Sequence, residues 1–210
     1  MKQPTVYTLL FLILLLAGCA SSSGKKYYQL FLPVDVDHMM GNQQADPRID
    51  KIVMLEPVAI DDIYNDYRIV YRTSPFEVSF YSYKFWIKKP DKLVFDSIRD
   101  YWSANHVFSR VISSYSQGEP HWLVKPVIYV IEEVDRPKVW YAHLKMDLEV
   151  KEFKTGKTLL IYSFNRQERM TERKIDQLPI TLSKILKKEL DTLVEKLTTG
   201  HVKSTVDTGQ

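Results

Sequence analysis

Apolar residues change their spacing several times along the chain, and each change marks an element. "YYQLFLPV" (Tyr27–Val34) is dense in aromatic and branched residues and predicts a first strand, ended by Pro33. The polar run from Asp35, "DVDHMMGNQQADPR", predicts a loop of about 15 residues. In "KIVMLEPVAI", Val53 and Leu55 alternate with Ile52 and Met54, so both faces are apolar, as in a strand covered on both sides. After the turn "DDIYND", "YRIVYR" and "FEVSFYSYKFW" predict two more strands separated by "TSP". In the later one Phe76, Val78 and Phe80 keep a period near two.

The period then lengthens. In "KPDKLVFDSIRDYWSANHVFSRVISSY", Leu93, Val94, Ile98, Tyr101 and Trp102 recur at three and four, the mark of an amphipathic helix. Asp91 suits its positive N-terminus. A second, short helical turn is expected to carry Val107, Phe108, Val111 and Ile112 before "SQGEP" breaks the pattern. Three long strand signals follow. "HWLVKPVIYVIEEV" ends at "DRPK", and "VWYAHLKMDLEVKEF" puts Trp140, Ala142, Leu144, Met146, Leu148 and Val150 on one face. "KTGK", built on Gly156, turns the chain into "TLLIYSFNRQERM". From about Ile175 to Leu197 a leucine-rich stripe opposite lysines and glutamates predicts a closing helix. Gly200 stops it, and residues 200–210 read as a disordered tail. The order β-β-β-β-α-β-β-β-α implies an α+β fold, a mostly antiparallel sheet with two helical regions packed on one face.

The first residues follow a different rule. "MKQPTVYTLLFLILLLAGC" has one positive residue, Lys2, an apolar run from Tyr7 to Leu16 interrupted only by Thr8, then small residues and Cys19. That is the build of a secretory signal peptide, and the run is too short to span a hydrocarbon core. "LAGC" resembles the bacterial lipobox, in which the cysteine thiol is alkylated by diacylglycerol and becomes the first residue of the mature chain. A thiolate is nucleophilic enough for that step near neutral pH. Each buried acyl methylene contributes about 0.8 kcal/mol, so two or three chains anchor stably. Residues 1–18 then form the signal peptide, and 19–26, with "ASSSGKK", a lipidated tether. Ala20 stands where an aspartate would signal inner-membrane retention in known lipoproteins. The expected address is therefore the outer membrane, facing the periplasm.

Composition narrows the classes. Removing residues 1–18 leaves 192 of 210 residues (210 − 18), enough for one domain, 27–199, with a real core. The net charge falls only from +3 to +2, because Lys2 is the one charged residue removed, and this argues against a nucleic-acid footprint. With a single cysteine, disulfides within the chain are excluded. Seven glycines, none in a phosphate-binding pattern, give no nucleotide loop.

Candidate chemistry is sparse. His38, His106, His121, His143 and His201 show no zinc spacing, and "DVDH" (Asp35–His38) lacks further ligands, so no metal or cofactor is expected. No serine lies in a nucleophile elbow. The pairs Asp61/Asp62 and Glu132/Glu133 read as solvated turn or strand-end residues, and His143 as a surface histidine. A non-catalytic protein is the expectation. The aromatic cluster "FYSYKFW" (Phe80–Trp86) is too dense to be wholly core. Alternation along a strand sends part of it outward, so Tyr81, Tyr83 and Trp86 are candidate partner-binding residues.

Taken together, the lipobox-like start, "YYQL", "KIVMLEPVAIDDIYNDYRIVYR" and "YSYKFWIKKPDKLVFDSIRDYW" resemble the ABC-type transport auxiliary lipoproteins, the PqiC-like lipoprotein partners of MCE-domain lipid transport systems. Pro57, Tyr64 and Ile69-Val70-Tyr71-Arg72 occupy that family's proline, turn tyrosine and "IV-x-R" positions, and Trp86 opens the way to the first helix. The chain departs from the pattern at "YNDYRIV" and "WIKKP". The resemblance implies a fold similar to the TolB N-terminal domain. It also implies a non-catalytic role in (phospho)lipid transport between the two membranes. The implied partners are an MCE-domain protein, its ABC permease and ATPase, the membrane, and a further copy of the chain in a homo-oligomer. The alternative is an outer-membrane lipoprotein that regulates a cell-wall synthase or scaffolds an envelope complex. A lipid carrier with its own cavity is a third class.

Overall fold

The computed structural model describes residues 24–33, 46–137 and 139–199. The leader, Cys19, the Asp35–His38 stretch and the tail from Gly200 lie outside these residues. The elements in chain order are β1 (Lys26–Tyr28), β2 (Ile49–Leu55), β3 (Ala59–Ile60), β4 (Arg68–Ser74), β5 (Glu77–Trp86), α1 (Pro90–Ala104), β6 (Phe108–Ile112), β7 (Trp122–Arg136), β8 (Val139–Glu152), β9 (Thr158–Arg169) and α2 (Gln177–Thr198).

β7 is the spine of the sheet. Along one edge it pairs antiparallel with β8, which pairs antiparallel with β9. Along its other edge it takes β2, β3 and β4 in succession, all parallel to it. β6 adds to β2 in parallel, β5 pairs antiparallel with β4, and β1 closes that side parallel to β5. The sheet is therefore mixed, which corrects the mostly antiparallel expectation. The reason lies in the connections. Pro57 and the 3₁₀ turn Asp62–Tyr64 interrupt the chain between β2 and β4 without reversing it. Proline lacks the N–H a ladder needs, so one expected strand becomes two short ones stepping along β7. After β2, the first reversal comes only at Pro75–Phe76, between β4 and β5.

Both helices pack on one face of the sheet, as their single apolar stripes require. α1 buries Leu93, Val94, Ile98, Tyr101 and Trp102, the five positions its spacing marks. The Trp102 ring meets Phe108 of β6 edge-on at 5.1 Å. α2 lies over β8 and β9, and Leu178, Leu182, Ile185, Leu186, Leu190 and Leu193 are completely buried there. Burying one such side chain contributes roughly 1.5–3 kcal/mol. The hydroxyl of Tyr101 donates to Asp191 at 2.6 Å and ties the two helices together.

Two local expectations change. Phe108–Ile112 form β6, not a helical turn. α1 stops at Asn105, His106 adopts a left-handed conformation (φ 47°), and the Val107 N–H closes on the Trp102 carbonyl at 3.0 Å. Phe108 and Ile112, four apart, suit either a helix or one face of a strand, so periodicity alone did not separate the two. The first strand is also shorter than Tyr27–Val34. Only Lys26–Tyr28 pair, and residues 29–33 then run beside α2, with Leu30 and Leu32 in the core. The Phe31 N–H donates to the Ser183 hydroxyl at 3.0 Å.

Candidate functional site

β7 carries two consecutive carboxylates, Glu132 and Glu133, inside the run "VIYVIEEV". Both are buried, at 3% and 1% exposure, which corrects their reading as solvated strand-end residues. β7 continues to Arg136, so the pair sits within the sheet. As neighbours on a strand they point to opposite faces.

On the face away from the helices, Glu132 accepts hydrogen bonds from the Tyr64 hydroxyl at 2.6 Å and from Arg72 Nε at 2.7 Å. His143 of β8, opposite Glu132 in the ladder, places Nδ1 3.6 Å from the carboxylate, while its Nε2 lies 2.7 Å from Asn165 Oδ1. His143 is thus on the expected outer face but largely covered. Tyr64 is delivered by the 3₁₀ turn, which Asp61 caps by accepting the Ile63 N–H at 3.1 Å. Asp61 and Asp62 are exposed turn residues, as expected. Burial raises the pKa of Glu132, but His143, Tyr64 and Arg72 outweigh it and hold the carboxyl below its ordinary value. Burial also lifts the Tyr64 hydroxyl well above its ordinary value, and the Glu132 charge adds to that against the opposing effect of Arg72. A cleft of about 290 Å³ opens beside the group, with Ser74, Arg136 and Gln167 on its walls.

On the helix face, Glu133 accepts from the Tyr81 hydroxyl at 3.0 Å and from the Trp140 indole N–H. Among the described residues no cation bonds it directly. Burial dominates, and Trp140 and Tyr81 only partly offset it, so the Glu133 carboxyl is raised above its ordinary value. A third buried carboxylate, Glu189 of α2, accepts from Tyr162 and from Arg166 Nε at 2.7 Å, fixing α2 to β9. Burial and this contact push the Tyr162 hydroxyl up to about 12.

These arrangements hold elements together. Glu132 is ionised and saturated by its partners, which suits it to fixing β4, the 3₁₀ turn and β7 in one register and not to donating protons. Tyr64 and Arg72, the turn tyrosine and strand arginine of the family resemblance, are the residues it gathers. Its own contribution was the part missed in the sequence. The signal was present in the apolar residues on both sides of the pair, Val130-Ile131 and Val134.

The three candidate partner-binding residues separate. A bulge is the cause. Val70 lies opposite Phe80 but Arg68 opposite Phe85, two steps along β4 (70 − 68) against five along β5 (85 − 80), so the alternation inverts between them. Tyr81 packs on Tyr71 with ring centroids 4.7 Å apart and spends its hydroxyl on Glu133. Trp86 is 1% exposed and is a core residue, so it offers no outward surface. Tyr83 is 53% exposed and Tyr27, stacked on Phe85 at 5.7 Å, is 60% exposed. Cys19 lies outside the described residues. Among the described residues no group of three metal-ligating side chains assembles, and no helix is long and apolar enough to cross a membrane.

Neither a family model nor a curated protein matches the chain. Solved structures do. Protein XCC0632 from Xanthomonas campestris, assigned to the family DUF330, aligns with a TM-score of 0.69 at 12% identity, over 84% of this chain and 96% of that one. A second structure, of an uncharacterised protein, aligns with a TM-score of 0.65 at 15% identity, over 83% and 99%. At these identities the likeness is one of fold.

Proposed function

We propose that the chain is a lipid-anchored envelope protein of the bacterial periplasm that works by contact with other proteins, as the non-catalytic auxiliary component of an MCE/ABC-type lipid transport system. The observation that carries the reading is the placement of Leu16-Ala17-Gly18-Cys19 ahead of a folded domain whose first strand begins at Lys26, seven positions beyond Cys19 (26 − 19). An acylated Cys19 there holds the domain close to a bilayer. The fold likeness to a DUF330 protein supports the auxiliary-lipoprotein reading. So does the convergence of Tyr64 and Arg72, residues of the family pattern, on one buried carboxylate. A non-catalytic role fits carboxylates whose lone pairs are taken by structural partners.

The partner surface in this reading is the aromatic edge formed by β1 and β5, where Tyr27 and Tyr83 stand exposed, with Tyr81 and Trp86 supporting it from within. Exposed tyrosines supply contact area at low entropic cost. The test is purification of the tagged, full-length lipoprotein in mild detergent. MCE, permease and ATPase components are expected to co-purify, and Tyr27→Ser with Tyr83→Ser is expected to reduce their recovery at least tenfold. Recovery of a cell-wall synthase in their place, or turnover of a substrate by the purified protein, would overturn the assignment.

A further inference from the structure

Exposed apolar surface lies beside the start of α2. Phe31 is 69% exposed although Leu30 and Leu32 on either side of it are core residues, and Ile180 of α2 is 48% exposed. Phe31, Pro33, Pro179 and Ile180 line one groove of about 310 Å³, whose rim carries Lys184 and Lys187. Lys187 is paired with Asp191 at 3.0 Å. Lys184 and, one turn further, Lys188 are exposed and have no ion-pair partner among the described residues. On the other side of Phe31 the charges cancel locally: Lys88 and Arg99 of the α1 region bind Asp96, and Arg99 also binds Asp100. Asp176, four residues before Ile180, sets one negative charge against Lys184 and Lys188, so the balance along α2 at this groove is positive.

The groove is also close to the tether. Tyr28, at the end of β1, donates to Asp176 at the start of α2 at 2.6 Å. The seven steps from Cys19 to Lys26 span at most about 25 Å when fully extended. By contrast Phe76, 98% exposed at the β4–β5 turn, lies at the far end of β5 from β1, roughly 30 Å along the strand. Of the two ends, the one beside α2 combines exposed apolar residues with exposed lysines, whereas the turn at Phe76 is flanked by Ser74 and Glu77.

We infer that Phe31 and Ile180 enter the headgroup–acyl boundary of the bilayer, with Lys184 and Lys188 on anionic phospholipid headgroups, so that the domain rests on the membrane in one fixed orientation. Apolar side chains flanked by lysines bind interfaces in this way, the lysines drawn to the anionic surface. The inference rests on the anchor reading and deepens it: acylation brings the domain to the surface, and this patch sets which side faces down.

The test uses the acylated protein in vesicles of phosphatidylcholine with about a third phosphatidylglycerol, a composition in which a basic patch senses surface charge. With Cys19 blocked by its lipid, Ile180→Cys supplies a single thiol for an environment-sensitive fluorophore, and Phe76→Cys a second site in a separate preparation. The residue-180 probe is expected to brighten at least threefold over its detergent value and to be quenched by brominated acyl chains. The residue-76 probe should remain in water. Lys184→Glu with Lys188→Glu is expected to halve the quenching at residue 180. An acylated protein whose residue-180 probe stays as aqueous as residue 76, or responds only when a partner protein is added, overturns the membrane contact and leaves the anchor reading standing. An unacylated Cys19, read from the mass of the N-terminal peptide, overturns both.

Discussion

Glu132 and Glu133 are the same residue type, adjacent on one strand and almost equally buried, yet they are held in opposite ways. Glu132 faces Arg72, Tyr64 and His143, and its charge is supported. Glu133 faces Tyr81 and Trp140, two neutral donors, and its charge is disfavoured. Both are buried, so the partners decide the outcome: His143, Tyr64 and Arg72 together outweigh desolvation at Glu132, and Trp140 and Tyr81 do not at Glu133. The ionised member locks β4 to β7, and its neighbour packs beneath the aromatic edge proposed to meet a partner.

Breaking the charged side should cost most. Arg72→Ala strips Glu132 of its cation and is expected to destabilise the fold by about 3 kcal/mol, toward the low end for a broken buried pair because Arg72 is 27% exposed. Chemical denaturation of the full chain measures it. Glu132→Gln should follow at about 2 kcal/mol, since a neutral amide keeps one acceptor but leaves the guanidinium without its counter-charge. Tyr64→Phe removes a single 2.6 Å bond to the carboxylate and should cost about 1 kcal/mol. Glu133→Gln should stay within about 1 kcal/mol, because an amide oxygen accepts from Tyr81 and Trp140 much as a carboxylate does. A larger loss at Glu133 than at Glu132 would reverse the comparison.

Acid titration of stability separates the two by sign. The Glu132 carboxyl is depressed, so its stabilisation is complete above its ordinary value of 4.5 and is lost as pH falls through the folded value. The deficit of Glu132→Gln against the parent should therefore be largest above pH 4.5 and shrink in acid. The Glu133 carboxyl is raised, so it penalises the fold as pH climbs from 4.5 through its folded value. Glu133→Gln should gain on the parent across that window. Parallel pH profiles for the two variants would contradict the assignment of opposite environments.

Much of this was legible in the sequence, for reasons that also explain the failures. β8 and α2 carry long, uninterrupted patterns, and every residue their spacing assigned to the buried side of β8 is buried. Periodicity works there because one face meets one core. It fails where two elements share a spacing, as with Phe108 and Ile112, and where a bulge inverts alternation, as between Phe80 and Phe85. Strand direction was not legible, because nothing in "EPVAIDDIYND" says whether the chain turns back or steps sideways. The clamp was half legible: Tyr64 and Arg72 stood out through the family pattern, but a double glutamate looks solvated until its partner strands are in place.

The account as a whole depends on a modified thiol at the head of a domain proposed to work by contact. The most direct measurement is intact-mass and N-terminal peptide analysis of the protein recovered from the membrane fraction, beside a Cys19→Ser chain. The account predicts a mature chain beginning at Cys19 and carrying acyl groups, with the serine variant unprocessed and unacylated. A mature chain with a free thiol at position 19, or membrane retention unchanged in the serine variant after removal of its leader, would contradict it.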